Sequence, residues 1–279
     1  MIPLFIGGTG RSGTTIALEY LGNHSKVYAS DPLEIRLMTE KYGLLDLFET
    51  KNIDSFNEYF NNKWVPKTKQ TIGFNNSIGK EKLNKIIEKL NKGVNEKSIK
   101  DFYFDIMISQ NFFKEKCQYL GDSTPSNIRY SHRIKSLLPE SKFIHLFRDG
   151  RDSAYSIYKM KDFFNVEGSK NEFDCLDWWY NRIIDSFESL NKIDSKSHIS
   201  LRLEDFVINK SDIAKNDILT FLNINNEEPL EQYFVKNIKK DNVSIGKWKE
   251  LSSWKEFDQK YSYMVKELSK KNIIIENYY

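Results

Sequence analysis

Short apolar runs alternate along the chain with longer segments whose apolar residues recur at helical spacing. Three runs have the length and composition of buried strands: Leu4–Ile6, Lys142–Phe147 and Ile199–Leu203. The segments between and after them predict helices over Thr14–Leu21, Ser126–Leu138, Arg151–Met160 and Asp174–Leu190. Because strands that alternate with helices form parallel sheets covered on both faces, the sequence predicts an α/β fold.

Residues from about 40 to 115 follow a different pattern. They are rich in Lys, Asn, Phe and Tyr, contain helical stretches such as "KEKLNKIIEKLNK", and show no strong strand run. No internal repeat and no linker rich in Pro, Gly or Ser marks a domain boundary. We therefore interpret residues 1–279 as a single α/β domain, with a helical insert on the substrate side over about 40–115.

Composition and charge exclude several classes of protein. The 279 residues include 42 basic and 39 acidic side chains, so a net charge of +3 gives no general field for nucleic acid or an anionic membrane. Two cysteines, Cys117 and Cys175, provide neither a disulfide framework nor a metal-ligand cluster. The start "MIPLFIGG" is too short to span a membrane and lacks the pattern of a secretory leader. These features predict a cytoplasmic protein without membrane insertion.

The loop Gly8–Thr15, "GTGRSGTT", follows the first predicted strand and has the outline of a phosphate-binding P-loop. Its glycines allow backbone N–H groups to converge on an anion at the start of the next helix, where the helix dipole adds a favourable potential. The usual lysine after the second glycine is absent, because Thr14 stands there, and the nearest cation is Arg11. The loop predicts an anion site but an incomplete layout for phosphoryl transfer.

A second stretch, "FIHLFRDGRDSAYS", predicts another anion site at the same edge of the sheet. Arg148 stands at the carboxyl end of a predicted strand, and Ser156 follows in the first turns of a helix. Open α/β sheets bind ligands at this edge, and an arginine with a hydroxyl suits a second phosphate.

The two stretches together resemble the sulfotransferases that use 3′-phosphoadenosine 5′-phosphosulfate (PAPS), in particular the bacterial and tyrosylprotein branch. Three further stretches are similar to the same family: "GDSTPSNIRYSHRIKSLLPESKFIHLFRD", "SLRLEDFV" and "VSIGKWKELS". They occur in the family's order and span nearly the whole chain except the insert. The resemblance implies a P-loop-like parallel sheet flanked by helices, and direct in-line transfer of a sulfuryl group from PAPS to an acceptor hydroxyl or amine.

The resemblance also implies a set of donor-binding residues. The first motif would hold the 5′-phosphosulfate through Gly10, Arg11, Ser12, Gly13, Thr14 and Thr15, with Arg11 also stabilising the transferring group. Arg148 and Ser156 match the residues that hold the 3′-phosphate. The late segment Gly246, Lys247 and Trp248 would close over the nucleotide. No metal is expected, since the donor carries a sulfate in place of a magnesium-bound γ-phosphate.

The acceptor must lose a proton, and the sequence offers two carboxylates for that step. "ASDPLEIR" contains Glu34, our first choice because "E-I-R" resembles the bacterial "E-x-R" pattern, and Asp31, the second choice. The alternative is structural: Asp31 caps a turn before a proline, and Glu34 pairs with Arg36. None of the four histidines occupies a convincing catalytic place, and His24 is interpreted as a structural cap.

Two departures from the family pattern bear on the rate of catalysis, and the missing lysine also keeps an inactive protein open as an alternative. Ser123 stands where many members carry lysine before Thr-Pro, and Gly10 stands where many have proline. One alternative is a P-loop small-molecule kinase, with Glu204 and Asp205 as metal-holding carboxylates; the other is an inactive nucleotide-binding protein. The acceptor is expected to be a small molecule, a carbohydrate or a peptide, and the sequence does not indicate an oligomeric state.

Overall fold

The computed structural model describes residues 1–66, 73–160, 170–209, 211–239 and 244–275. Five strands form one sheet: β1 (Ile2–Gly8), β2 (Val27–Ala29), β3 (Tyr119–Asp122), β4 (Lys142–Phe147) and β5 (His198–Arg202). Their order is β2-β3-β1-β4-β5, and every neighbouring pair is parallel. The predicted α/β class is confirmed.

The sheet is flanked by helices, whose bounds are α1 (Thr14–Gly22), α2 (Leu44–Thr50), α3 (Ile53–Tyr59), α4 (Phe74–Ser77), α5 (Lys80–Asn91), α6 (Glu96–Ile108), α7 (Ser131–Leu137), α8 (Gly150–Lys159), α9 (Glu172–Leu190), α10 (Ser211–Leu222), α11 (Glu228–Asn237) and α12 (Trp254–Lys270). Short 3₁₀ turns lie at Pro125–Tyr130, Ser195–Ser197 and Lys247–Glu250. In the part of the chain that is described, no helix combines the length and the apolar character needed to cross a bilayer.

The apolar side chains of β1 divide between two cores. Leu4 and Ile6 contact the cluster formed with α1 and α10, whereas Phe5 packs against Phe143 and Tyr103 on the opposite face. A strand covered on both faces is apolar throughout, which explains the continuous run in the sequence. β1 is also the middle strand of the five, and its carboxyl end lies beside those of β3 and β4.

The region from about 40 to 115 is helical in its described residues, comprising α2 to α6 and a π-helical turn at Phe60–Trp64. Its aromatic side chains share one hydrophobic core with Phe5 and Phe143 of the sheet. Phe56, Phe60 and Phe102 form the ring contacts at its centre. The abundance of Phe and Tyr noted in the sequence thus serves packing against the sheet. Whether this insert faces the acceptor stays a prediction.

Several element boundaries differ from those expected. The predicted strands are present and the first is longer, but the short β2 and β3 were not predicted. The helix expected over Ser126–Leu138 is a 3₁₀ turn followed by α7, because Pro125 begins the turn and Asn127 donates to the buried Asp122 carboxylate at 2.8 Å. Helix α9 begins earlier, at Glu172, where Asn171 forms a capping box.

Candidate active site at the carboxyl edge of the sheet

The two predicted anion-binding stretches meet at one edge of the sheet. β1 and β4 are neighbours, with Gly8 opposite Leu146. The loop after β1 and the turn after β4 therefore leave the sheet side by side, although they are far apart in sequence. This is the edge at which parallel α/β sheets bind their ligands.

The loop after β1 has an unusual backbone conformation. Gly10, Arg11 and Gly13 all have positive φ angles, at 78°, 54° and 83°. At Arg11 this conformation carries a strain cost, which proteins retain mainly at functional sites. Ser12 is buried, and its hydroxyl has no hydrogen-bond partner among the described residues. A buried donor of this kind, beside the N-terminus of α1, fits an anion cradle.

The remaining hydroxyls of the motif stand at the start of α1. Thr14 is buried and Thr15 is exposed, both in the first turn of the helix, where backbone N–H groups lack intrahelical partners. In the described part of the chain, this first turn carries no acidic side chain that would compete with an anion. Thr14 and Thr15 thus stand where an anion could be bound, and their role in binding it stays a prediction.

Two arginines converge between the two stretches. The Arg11 Nε donates to Ser156 Oγ at 3.1 Å, and an Arg148 Nη donates to the Arg11 backbone oxygen at 3.3 Å. The other Arg148 Nη donates to the Ser244 backbone oxygen, while its buried Nε has no partner among the described residues. The geometry brings together three of the residues expected to hold an anion.

The electrostatics of this site follow from the same arrangement. Burial and the nearby Arg148 guanidinium lower the pKa of Arg11, and the Glu34 carboxylate opposes that shift. Two like charges in a partly buried site repel each other, and an anion between them removes that cost. Glu34 thus lies near enough to Arg11 to affect the pKa of the guanidinium, and its role as the first-choice base stays a prediction.

A buried charge network supports the turn after β4. Asp149 pairs with Arg151 at 2.6 Å, and the Glu204 carboxylate accepts the Asp149 N–H at 2.8 Å. Glu204 is fully buried, and burial raises the pKa of its carboxyl. This carboxylate holds the backbone next to Arg148, a structural role that leaves the metal-holding role considered for a kinase without support. In the described ranges, no group of three or more His, Cys, Asp or Glu is arranged to hold a metal ion.

The late segment that contains Gly246, Lys247 and Trp248 contacts the helix that follows Arg148. Gly246 has a φ of 71° and its N–H donates to the Asp152 carboxylate at 2.9 Å. Lys247 is exposed, whereas Trp248 is only 2% exposed and its ring lies 4.8 Å from the Arg151 guanidinium. Trp248 is thus an anchor inside the core. Gly246 and Lys247 are more accessible than Trp248, and the contact of all three with the nucleotide stays a prediction.

The two candidate bases have different surroundings. Glu34 pairs with Arg36 at 3.0 Å and keeps 28% of its side chain exposed. Asp31 is exposed, and its backbone N–H is bound by the Gln110 side chain at 2.9 Å. The expected Glu34–Arg36 pair is therefore present, and it coexists with the influence of Glu34 on Arg11.

Asp122, which sequence reasoning missed, organises the segment that carries Glu34. This fully buried carboxylate accepts the N–H groups of Ile35 and Thr124, the Thr124 hydroxyl and the Asn127 amide. Thr124 Oγ1 in turn accepts the Arg36 N–H at 2.8 Å. Burial raises the pKa of Asp122, while these hydrogen bonds oppose the shift. The only signal in the sequence is an Asp two residues before Thr, a spacing typical of local capping.

The remaining predicted features are structural. His24 accepts the Lys26 N–H at 2.9 Å and contacts the Asn225 carbonyl at 2.9 Å, as expected of a cap. Ser123, which the family resemblance identifies as standing in place of a lysine, donates to the Leu33 backbone oxygen at 2.9 Å. Trp178, on α9, is half-buried, and its ring edge lies 3.3 Å from the position that a Cβ on Gly10 would take. Its contact with the loop was not predicted.

Comparisons with known proteins agree with this geometry. The chain resembles a sulfotransferase domain from the Synechococcus PCC 7002 olefin synthase, with a TM-score of 0.55 and 16% identity over 94% of each chain. It also resembles a sulfotransferase from Alicyclobacillus acidocaldarius, with a TM-score of 0.51 and 14% identity over 99% of this chain and 97% of that one. At such identities the likeness shows the fold.

A curated relative from Aquifex aeolicus (strain VF5), described as an uncharacterized protein, is 27% identical over 157 residues. That match covers 56% of this chain, and the chain spans 17% of the relative's length. The profile of the Sulfotransferase family matches residues 3–228, which include β1, its anion loop, the insert, the Arg148 motif and β5. The chain therefore belongs to the sulfotransferase family.

Proposed function

We propose that this protein is a PAPS-dependent sulfotransferase that moves a sulfuryl group to an acceptor hydroxyl or amine. The observation that carries the proposal is the convergence of two anion-binding stretches: Arg11 donates to Ser156 at 3.1 Å, and Arg148 donates to the Arg11 backbone at 3.3 Å. A donor with phosphate groups at both its 3′ and 5′ positions needs two such sites close together. A ligand whose phosphates all lie in one cluster needs only one such site.

The residues present fit this donor. The unpartnered Ser12 hydroxyl and Arg148 Nε are buried polar groups that an anion would satisfy. Gly10 to Thr15 would hold the 5′-phosphosulfate, Arg148 and Ser156 the 3′-phosphate, and Gly246 with Lys247 the outer side of the nucleotide. When bound, PAPS supplies a sulfuryl group already activated by its phosphate leaving group.

The chemistry left to the protein is positioning and charge stabilisation. Arg11 and the backbone N–H groups of Ser12 to Thr15 stabilise the negative charge on the oxygens around the transferring group. Glu34 takes the proton from the acceptor, with Asp31 as the second candidate. Asp122 and Thr124 position Glu34 through the backbone of Ile35 and Arg36.

The proposal also covers the acceptor, the metal requirement and the location of the protein in the cell. The acceptor is a small molecule, a carbohydrate or a peptide, the reaction requires no metal, and the protein works in the cytoplasm. The near balance of 42 basic and 39 acidic residues supports an acceptor other than nucleic acid.

Calorimetric titration of adenosine 3′,5′-bisphosphate (PAP), the expected product, tests the donor site. The ligand is titrated without metal into the wild type and Arg148→Ala, with AMP as the matched ligand that lacks the 3′-phosphate. The expected result is a preference of the wild type for PAP over AMP, lost in Arg148→Ala. Equal binding of PAP and AMP to the wild type would refute the proposal.

One observation favours a second candidate, an inactive nucleotide-binding protein. Ser123 replaces the family's lysine, and its hydroxyl is committed to the Leu33 carbonyl. Incubation with PAPS and a panel of phenols, sugars and tyrosine peptides separates the two functions. Release of PAP that depends on an acceptor supports the enzyme, whereas tight PAP binding without any release supports the inactive protein.

A further inference from the structure

We infer that Asp152 is a positioning residue that holds segment 244–250 against α8 and thereby makes this segment part of 3′-phosphate recognition. The inference rests on the proposed function, since it concerns the same donor site. It starts from the tethers between the late segment and the helix that follows Arg148.

The late segment is bound to the Arg148 motif at alternate residues. Ser244 accepts a hydrogen bond from Arg148 through its backbone oxygen, and Gly246 donates to Asp152 at 2.9 Å. Further along, the Trp248 ring lies 4.8 Å from the Arg151 guanidinium, and Glu250 accepts the Tyr155 hydroxyl at 2.6 Å. The segment therefore follows α8 closely, although the hydrogen-bonded residues Asp152 and Gly246 are 94 positions apart.

Among these contacts, the hydrogen bond from Gly246 to Asp152 fixes the backbone conformation of the segment. Asp152 is 1% exposed and lies in the first turn of α8, where the helix dipole favours a carboxylate. Gly246, its partner, has a φ of 71°, a conformation that residues with side chains rarely adopt. A charge-assisted hydrogen bond to the N–H of this turn fixes the direction in which the exposed Lys247 leaves it.

The position of Asp152 on α8 links this turn to the 3′-phosphate site. Asp152 and Ser156 are four residues apart, so they lie on the same face of the helix. Arg148, just before the helix, is bonded to the same segment through Ser244. The segment that Asp152 holds thus borders the face that presents Ser156, and Lys247 is the nearest exposed cation of the segment to Gly246. Asp152 acts on the ligand through this segment.

Two replacements of Asp152 separate positioning from general stability. Asp152→Asn keeps a side-chain oxygen that accepts the Gly246 N–H, whereas Asp152→Ala removes it. The ratio of PAP to AMP affinity is measured by calorimetry without metal for each variant. We expect the ratio to fall about tenfold in Asp152→Ala, the scale of one hydrogen bond to a charged group, and to stay near the wild-type value in Asp152→Asn.

A double variant tests the route through the segment. If Asp152 acts by placing Lys247, then Lys247→Ala lowers the ratio, and adding Asp152→Ala lowers it little further. Independent losses that multiply would overturn the inference. The control is Glu227→Ala, which removes a carboxylate that also accepts a backbone N–H, from Ser25 at 2.8 Å, at the opposite edge of the sheet. It should leave the ratio unchanged.

The outcomes distinguish the inference from the function on which it rests. A wild type without preference for PAP refutes the donor site and the inference together. A wild-type preference that Asp152→Ala retains overturns the inference alone, as does an equal loss of PAP and AMP affinity. If Asp152→Ala does not fold, Lys247→Ala tests the route through the segment alone. A reduced ratio there supports the inference, and an unchanged ratio overturns it.

Discussion

Single residues at the site differ in function because their surroundings differ. Glu34 and Asp31 are both carboxylates in one short stretch of sequence, and the sequence left either as the base. Glu34 raises the pKa of Arg11 against the effect of burial, and Asp122 and Thr124 hold the backbone of the two residues that follow Glu34. Asp31 is exposed. A carboxylate near the transfer site and on a fixed backbone suits proton abstraction, so Glu34 remains the preferred base.

We predict that Glu34→Gln lowers kcat by about 10²- to 10⁴-fold, the usual contribution of a general base, and leaves PAP affinity near the wild-type value. Initial rates with the acceptor that gives PAP release, together with calorimetry, measure the two effects. The matched control is Glu40→Gln, which removes the other carboxylate near Arg36, at 3.5 Å, without removing the base. A larger loss of kcat in Asp31→Asn than in Glu34→Gln would reverse the assignment.

The junction between β1 and α1 depends on a glycine at the helix N-cap. Gly13 has a φ of 83°, and a Cβ on it would lie 2.4 Å from Leu203 Cδ1. Any side chain therefore meets both backbone strain and a clash with the core. Because Gly13 belongs to the predicted anion loop, we expect relief of that clash to shift the backbone N–H groups next to it as well as the Leu203 side chain.

We predict that Gly13→Ala destabilises the fold by about 2 to 4 kcal/mol, from left-handed strain plus overpacking, and weakens PAP binding. Gly79→Ala is the control for a glycine of positive φ outside the site, since Gly79 has a φ of 87°, a ψ of 141° and open space where a Cβ would lie. It should cost about 1 to 3 kcal/mol and leave PAP affinity unchanged. Urea denaturation and calorimetry measure both quantities. An unchanged PAP affinity in Gly13→Ala would show that the loop tolerates the added methyl group.

The elements also show what the sequence predicts and what it does not. β1, β4 and α9 were predictable because a long apolar run or a sustained helical period encodes each one. β2 has only three residues, and β3 contains Gly121 and Asp122, so both depend on pairing with neighbours that lie far away in the chain. The glycine-dependent turn after β1 was predictable from local backbone chemistry, and its anion-binding role stays a prediction. The tether from Asp152 to Gly246 was not, because no local pattern records a contact across 94 positions.

In the molecule as a whole, the imidazole ring of His145 is buried between the sheet and α9. His145, on β4, is fully buried, contacts the Phe187 ring at 5.1 Å and lies 3.2 Å from Ser200 Oγ. Burial, with a smaller effect of His198, lowers the pKa of His145 to about 3. The unfolded chain binds this proton near pH 6.5, so between those values the unfolded state holds more protons than the folded one.

The burial of His145 should therefore lower the free energy of unfolding as the pH drops below about 6.5, by an amount that can be calculated. From pH 7 to pH 5, linkage gives about 2 kcal/mol for this one group, because its folded state stays neutral over that range. Urea denaturation at both pH values should show that His145→Gln loses about that much less stability than the wild type. Ser200→Ala, which keeps the ring, should retain the wild-type dependence. Identical pH dependence of wild type and His145→Gln would mean that the sheet accepts the charged ring.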